Sequence, residues 1–181
     1  MFSDARSKRI LLVANCLLNQ NAKLDRCAFY PGAIREAAQL VLDSGAGIVQ
    51  MPCPETLCLG LDRQADPATL PSVEAEDTRI AIRMQEPTAR QKMQQMVADL
   101  VYQVMEYRQH GFVVLGVVGI NGSPTCAVER TWYDDAPREG PGIFIQMLQA
   151  SLAERGISLP MRGIRAQEPE QAVNTVAALL V

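Results

Sequence analysis

Arg9-Ile10-Leu11-Leu12-Val13-Ala14-Asn15 is a continuous apolar run of strand length. It lacks the alternation of a half-exposed strand, which predicts coverage on both faces, as in parallel sheets. Gly47–Met51 and Gly111–Ile120, the latter containing Phe-Val-Val-Leu-Gly-Val-Val-Gly-Ile, read as two more strands of this kind. Helical periods separate them. Ile34, Ala37, Ala38 and Val41 recur over Gly32–Ser44, with Gly45 as a terminator. From Thr88 to about His110, Met93, Met96, Val97, Leu100, Val101 and Val104 form one stripe, in which the methionines read as core packing. Pro141 sits at a first helical position, ahead of Ile143, Met147, Leu148 and Leu152 in a helix reaching Arg155. Ile157–Ile164 then reads as a fourth strand, and Glu168–Leu180 as a closing helix.

Alternation of strands and helices requires crossovers, and crossovers are right-handed. The sequence therefore predicts an α/β fold: one three-layer domain over residues 1–181, with a mainly parallel open sheet of Rossmann or flavodoxin-like type and helices on both faces. Residues 56–87 show no long period and read as an irregular insertion, with room for a short helix between Leu59 and Ile82.

With 48% hydrophobic and 20% charged residues the composition is that of an ordinary globular protein. A net charge of −3 argues against a general nucleic-acid surface, which needs a basic excess to displace counterions. Met1 to Arg9 has no apolar core region of a secretory signal, and the apolar run ending at Ile120 is far too short to span a bilayer. These features predict a soluble, cytoplasmic protein without a membrane partner, and leave oligomerisation open. Five cysteines are an odd number for a reducing compartment, which favours metal binding or thiol chemistry over a disulfide framework. The one histidine, His110, ends a helical pattern, where it can meet the last carbonyls. A zinc site of several histidines, or a Cys/His dyad, has almost nothing to draw on.

In an open α/β sheet, ligands bind outside the carboxyl ends of the strands, where the strand order reverses. Cys16, Cys53 and Cys126 each follow a predicted strand and so fall on that edge. Met51-Pro52-Cys53-Pro54-Glu55 makes its corner stiff, because the two prolines fix their own φ angles and bias Cys53 away from the helical region. Thiolates brought side by side repel unless a cation holds them, and soft thiolate ligands select iron–sulfur clusters, zinc or copper. From topology alone each cysteine also reads as a small buried hydrophobe.

Asn15-Cys16-Leu17-Leu18-Asn19, Met51-Pro52-Cys53-Pro54-Glu55 and Ser123-Pro124-Thr125-Cys126 together resemble the signature segments of the 2-thiouracil desulfurase-like family. The resemblance covers the framework from about Arg9 to Tyr133. It implies a [4Fe-4S] cluster held by Cys16, Cys53 and Cys126, with one iron left free of protein ligands to take sulfur from a small thiolated heterocycle as hydrosulfide. Glu55 and Ser123 match the positions that move protons and orient the attacking water. Exposed clusters of this kind are often lost in air during purification. The chain departs from the family pattern at Thr56–Arg63 and at Ala127, so the identity of the substrate stays open.

Two other readings also stay open. One is cluster-free chemistry with Cys53 as nucleophile and Glu55 as its proton acceptor; the other is a non-catalytic module whose cysteines sense oxidation or metal supply. Glu55 also reads as a helix-start carboxylate, and Ser123 as a turn residue before Pro124. Trp132 and Tyr133 offer walls for a flat heterocycle, Cys27 reads as structural, and Cys58 reads as a packed neighbour. Gly116, Gly119 and Gly122 fit a loose glycine spacing, but Pro124 and the lack of an immediate helix speak against a dinucleotide site.

Overall fold

Strand β1 (Arg9–Val13) lies inside the sheet, and four of its five residues are buried. The computed structural model describes residues 2–66, 68, 69 and 71–181. β1 pairs with β2 (Gly47–Gln50) on one side and with β3 (Val113–Ile120) on the other, both parallel. β4 (Arg130–Tyr133) and β5 (Ala136–Glu139) form a separate antiparallel hairpin, and β6 (Met161–Ile164) joins the main sheet beside β3. The main sheet has the order β2-β1-β3-β6. The order reverses between β1 and β3, the place where an open α/β sheet leaves a crevice.

Among the described residues there are seven α-helices. On one face α2 (Arg35–Asp43) packs against α7 (Pro169–Leu179); on the other, α5 (Pro87–Gln109) packs against α3 (Pro54–Leu59) and α6 (Ile143–Ala153). The result is the three-layer α/β arrangement that the uninterrupted apolar strands require. Leu11, Leu12 and Val13 are almost wholly buried between the helical layers, and burial of each such side chain stabilises by about 1.5–3 kcal/mol. The α5 stripe holds as read: Met93, Val97, Leu100, Val101 and Val104 are buried, with Met96 packed against the same core. No helix among the described residues is long and apolar enough to cross a membrane.

Several boundaries differ from the sequence reading. The fourth strand is Met161–Ile164 rather than Ile157–Ile164, because Pro160 has no N–H for the ladder; its carbonyl instead accepts from the Val117 N–H at 3.0 Å. Helix α6 starts after Gly142, not at Pro141. Gly142 packs so closely on the loop before it that a Cβ would lie 2.5 Å from the Thr125 backbone. The stretch 56–87 contains the end of α3 and all of α4 (Val73–Arg83), which Ser72 caps by accepting the Ala75 N–H; Pro67 and Leu70 lie outside the described residues. Helix α4 is mostly charged and buries only Glu76, Ile80 and Ala81, too narrow a stripe to register as a period. His110 follows α5, and its ring faces Glu106 and Phe2.

Candidate functional site

The register of the sheet brings the three cysteine segments together. Val13 is level with Gln50 of β2 and with Val118 of β3. Beyond that level the Ala14 N–H bonds to the Val118 carbonyl at 2.8 Å, and the Met51 N–H bonds to the Val13 carbonyl at 2.8 Å. Cys16 and Cys53 stand at the same remove beyond the aligned pair Val13 and Gln50. Cys16 lies in a single helical turn, α1 (Asn15–Leu18), rather than at the bare end of a strand. Cys53 has an extended backbone, φ −79° and ψ 108°, as its flanking prolines demand. Pro54 is then the first residue of α3, where its missing N–H goes unneeded, and Glu55 falls in the first helical turn.

The chain after β3 folds back on itself, so that the Ile120 N–H bonds to the Cys126 carbonyl at 2.9 Å. Close approach explains the glycine spacing in β3. A Cβ on Gly119 would lie 2.4 Å from the Cys126 carbonyl oxygen, and one on Gly116 would lie 2.4 Å from that of Pro160. Asn121 fixes the outer part of the loop: its Oδ1 accepts from the N–H groups of Val128, Glu129 and Arg130, and its Nδ2 donates to Glu129.

Cys16, Cys53 and Cys126 line one cavity of about 430 Å³, together with Glu55 and Ser123. Burial pushes the Cys16 thiol up to about 11, with Cys53 and Glu55 adding to the effect against Lys23. Cys126 is raised well above the ordinary thiol range by burial and then by Cys53, Cys16 and Glu55, and Cys53 is raised by burial and then by Glu55. The protein alone therefore holds these thiols neutral and close enough to oppose one another's ionisation. Among the described residues, no group of three or more His, Cys, Asp or Glu side chains is gathered tightly enough to hold a single metal ion. Three thiols lining one cavity are the soft donor type that iron–sulfur chemistry uses.

Glu55 is anchored on both oxygens. Its Oε1 accepts from the Thr125 hydroxyl at 2.7 Å and the Ser123 hydroxyl at 3.3 Å, and its Oε2 accepts from Arg63 Nε at 3.2 Å. Of the roughly four acceptor directions of a carboxylate, one remains, on Oε2. Ser123 Oγ also accepts from the N–H groups of Thr125 and Cys126, at 3.2 and 3.1 Å. One hydroxyl thus ties the Glu55 carboxylate to the turn that carries a thiol.

Arg63 and Thr125 were not singled out by the sequence. Arg63 is 1% exposed. Besides Glu55, its guanidinium donates to the carbonyls of Ala22, Gly60 and Leu61, and Nη2 lies 3.8 Å from Cys53 Sγ. A left-handed backbone at Arg63 and Gln64 turns the chain inward after α3.

Trp132 lines the cavity and donates through Nε1 to Thr78 of α4 at 2.8 Å, whereas Tyr133 is exposed and lies outside the lining. The hairpin that carries Trp132 turns at Asp134 and Asp135, both with positive φ, the geometry of a two-residue hairpin loop. That pair, after Arg-Thr-Trp-Tyr, was the sequence signal for the hairpin. Cys27 lines the cavity too, and its thiol is raised by burial and then by Asp77. Cys58 lies outside the lining and donates to the Ala89 carbonyl.

No family model matches this chain, and no solved structure matches it. Among curated proteins it is similar to an uncharacterized protein of Methanocaldococcus jannaschii, with 28% identity over 123 residues, which are 68% of this chain and 70% of the relative.

Proposed function

We propose that this chain is a [4Fe-4S]-dependent desulfidase, resembling the 2-thiouracil desulfurase-like proteins, that converts the C=S group of a small thiolated heterocycle to C=O. The observation that carries the reading is the convergence of Cys16, Cys53 and Cys126 on one cavity whose wall holds the Glu55–Ser123 pair. When bound to these three thiolates, the cluster supplies an iron without a protein ligand, a Lewis acid for the substrate sulfur.

The rest falls to the chain's own side chains. Exchange of sulfur for oxygen adds water to the carbon, expels hydrosulfide and releases one proton, with no change of oxidation state. Glu55 accepts a proton from the attacking water at its remaining Oε2 position. Ser123 and Thr125 fix the carboxylate relative to Cys126, and Arg63 holds it from the other side. Trp132 offers a flat apolar wall for the ring. The cluster-free reading asks for a Cys53 thiolate, and a nucleophilic cysteine depends on a lowered pKa; burial and Glu55 act on Cys53 in the opposite direction.

The test is sulfide release by anaerobically reconstituted protein from a panel of thiouracils and other small thiocarbonyl heterocycles. Hydrosulfide is expected in equal amount with the carbonyl product. Iron-loaded protein that releases none across the panel would contradict the reading and favour a sensing role.

A further inference from the structure

Three carboxylates line the cavity, Glu55 and two of α4, Glu74 and Asp77; Glu74 is exposed, in the first turn beside the Ser72 cap. Glu55 and Asp77 are held very differently. Glu55 has donors on both oxygens, whereas the Asp77 carboxylate has no hydrogen-bond donor among the described residues. Glu76, Thr78 and Arg79 on the same helix are committed elsewhere. Glu76 pairs with Arg79 at 2.6 Å, Thr78 accepts from Trp132, and Arg79 also donates to the Arg63 carbonyl at 2.9 Å. Helix α4 is thus fixed around Asp77 while leaving that one side chain free to exchange a proton with whatever occupies the cavity.

We propose that Asp77 is the second proton-transfer group of this site, an acid that acts on the departing sulfur while Glu55 acts on water. This rests on the desulfidase reading. Water adds to the thiocarbonyl carbon as Glu55 takes one of its protons. Protonated Asp77 then gives its proton to the sulfur, the C–S bond breaks with its electron pair going to sulfur, and hydrosulfide leaves. The remaining hydroxyl proton passes to Asp77 as C=O forms, and Glu55 returns its proton to solvent. Atoms, charge and oxidation state all balance.

An acid for this step must still be protonated near neutral pH, and the surroundings supply that. Burial pushes the Asp77 carboxyl up to about 7, with Glu55 of α3 adding to the effect, Lys23 opposing it, and Glu74 and Glu76 of its own helix contributing less. The Cys27 thiol also faces it. Two carboxylates with environments this different are the usual basis for dividing acid from base.

The experiment compares wild-type and Asp77→Asn protein after anaerobic reconstitution. Iron content is expected to be unchanged, while kcat for sulfide release falls by about 10²- to 10³-fold with a smaller change in KM. In the wild type, kcat should decline as pH rises through about 7, as the acid is lost, and that limb should vanish in the variant; Asp77→Glu should recover part of the rate. A readout without turnover is the pH dependence of Tm. A carboxyl whose folded pKa is raised favours the folded state at low pH and loses that contribution as pH rises from about 4 towards its folded pKa. The variant should be free of this loss. A variant with wild-type rate and pH profile would overturn the role of Asp77 alone, while wild-type protein that binds iron and releases no sulfide would remove the desulfidase reading and this inference with it.

Discussion

Serine at Cys16, Cys53 or Cys126, one at a time, is expected to reduce iron retained after anaerobic reconstitution to background and to abolish sulfide release. The change is close to isosteric, so folding should survive and the loss should be one of ligation. A serine hydroxyl ionises far less readily than a thiol and is a hard oxygen donor where iron–sulfur chemistry calls for soft thiolate. Each position is also fixed by a different strand end, through the aligned register of β1, β2 and β3 and the fold-back that pairs Ile120 with Cys126. Cys27, which also lines the cavity, belongs to none of these strand ends. Cys27→Ser and Cys58→Ser are expected to retain iron, since the Cys27 thiol faces Asp77 and Lys23 and the Cys58 thiol bonds to Ala89. Iron and acid-labile sulfide per chain, with circular dichroism as a control for folding, check both halves of this expectation.

Arg63→Met should have the largest effect on stability. The guanidinium is 1% exposed and Glu55 13%, so removal of the cation leaves a carboxylate with little solvent to replace it and strands the carbonyls of Ala22, Gly60 and Leu61. Breaking a buried pair from one side costs about 3–5 kcal/mol. For a chain of this size that lowers Tm by roughly 10 °C. Glu55→Gln in the same chain should recover part of the loss, because it removes the unpaired charge. Thermal melts of the two single variants and the double variant give the coupling directly. Simple additivity would mean that the pair is not the main role of Arg63.

The sheet was legible in the sequence because β1 and β3 are buried on both faces and show it residue by residue. Pro-Cys-Pro was legible for a local reason, since proline dictates its own backbone and that of the residue before it. Arg63, Thr125 and Asp77 were not. A charged residue within an aperiodic stretch reads as surface, and what buries Arg63 is a left-handed turn together with carbonyls supplied by Ala22, far away in the chain. Thr125 was visible only as part of the Ser-Pro-Thr-Cys turn; its bond to Glu55 joins two strand ends and has no local signature. Asp77 needed the position of α4 over the cavity, and α4 was hidden by its own polarity. The hairpin was within reach, because Asp134-Asp135 after a β-branched and aromatic run is a turn signal.

On the proposed reading, three strand ends deliver their thiols to one cluster. The most direct test of that reading is the amount of iron and acid-labile sulfide bound per chain by wild-type protein purified and reconstituted without oxygen. About four of each is expected, with all of it dependent on Cys16, Cys53 and Cys126. A protein that takes up no iron under those conditions, or only a single iron that survives serine at Cys53, would contradict it.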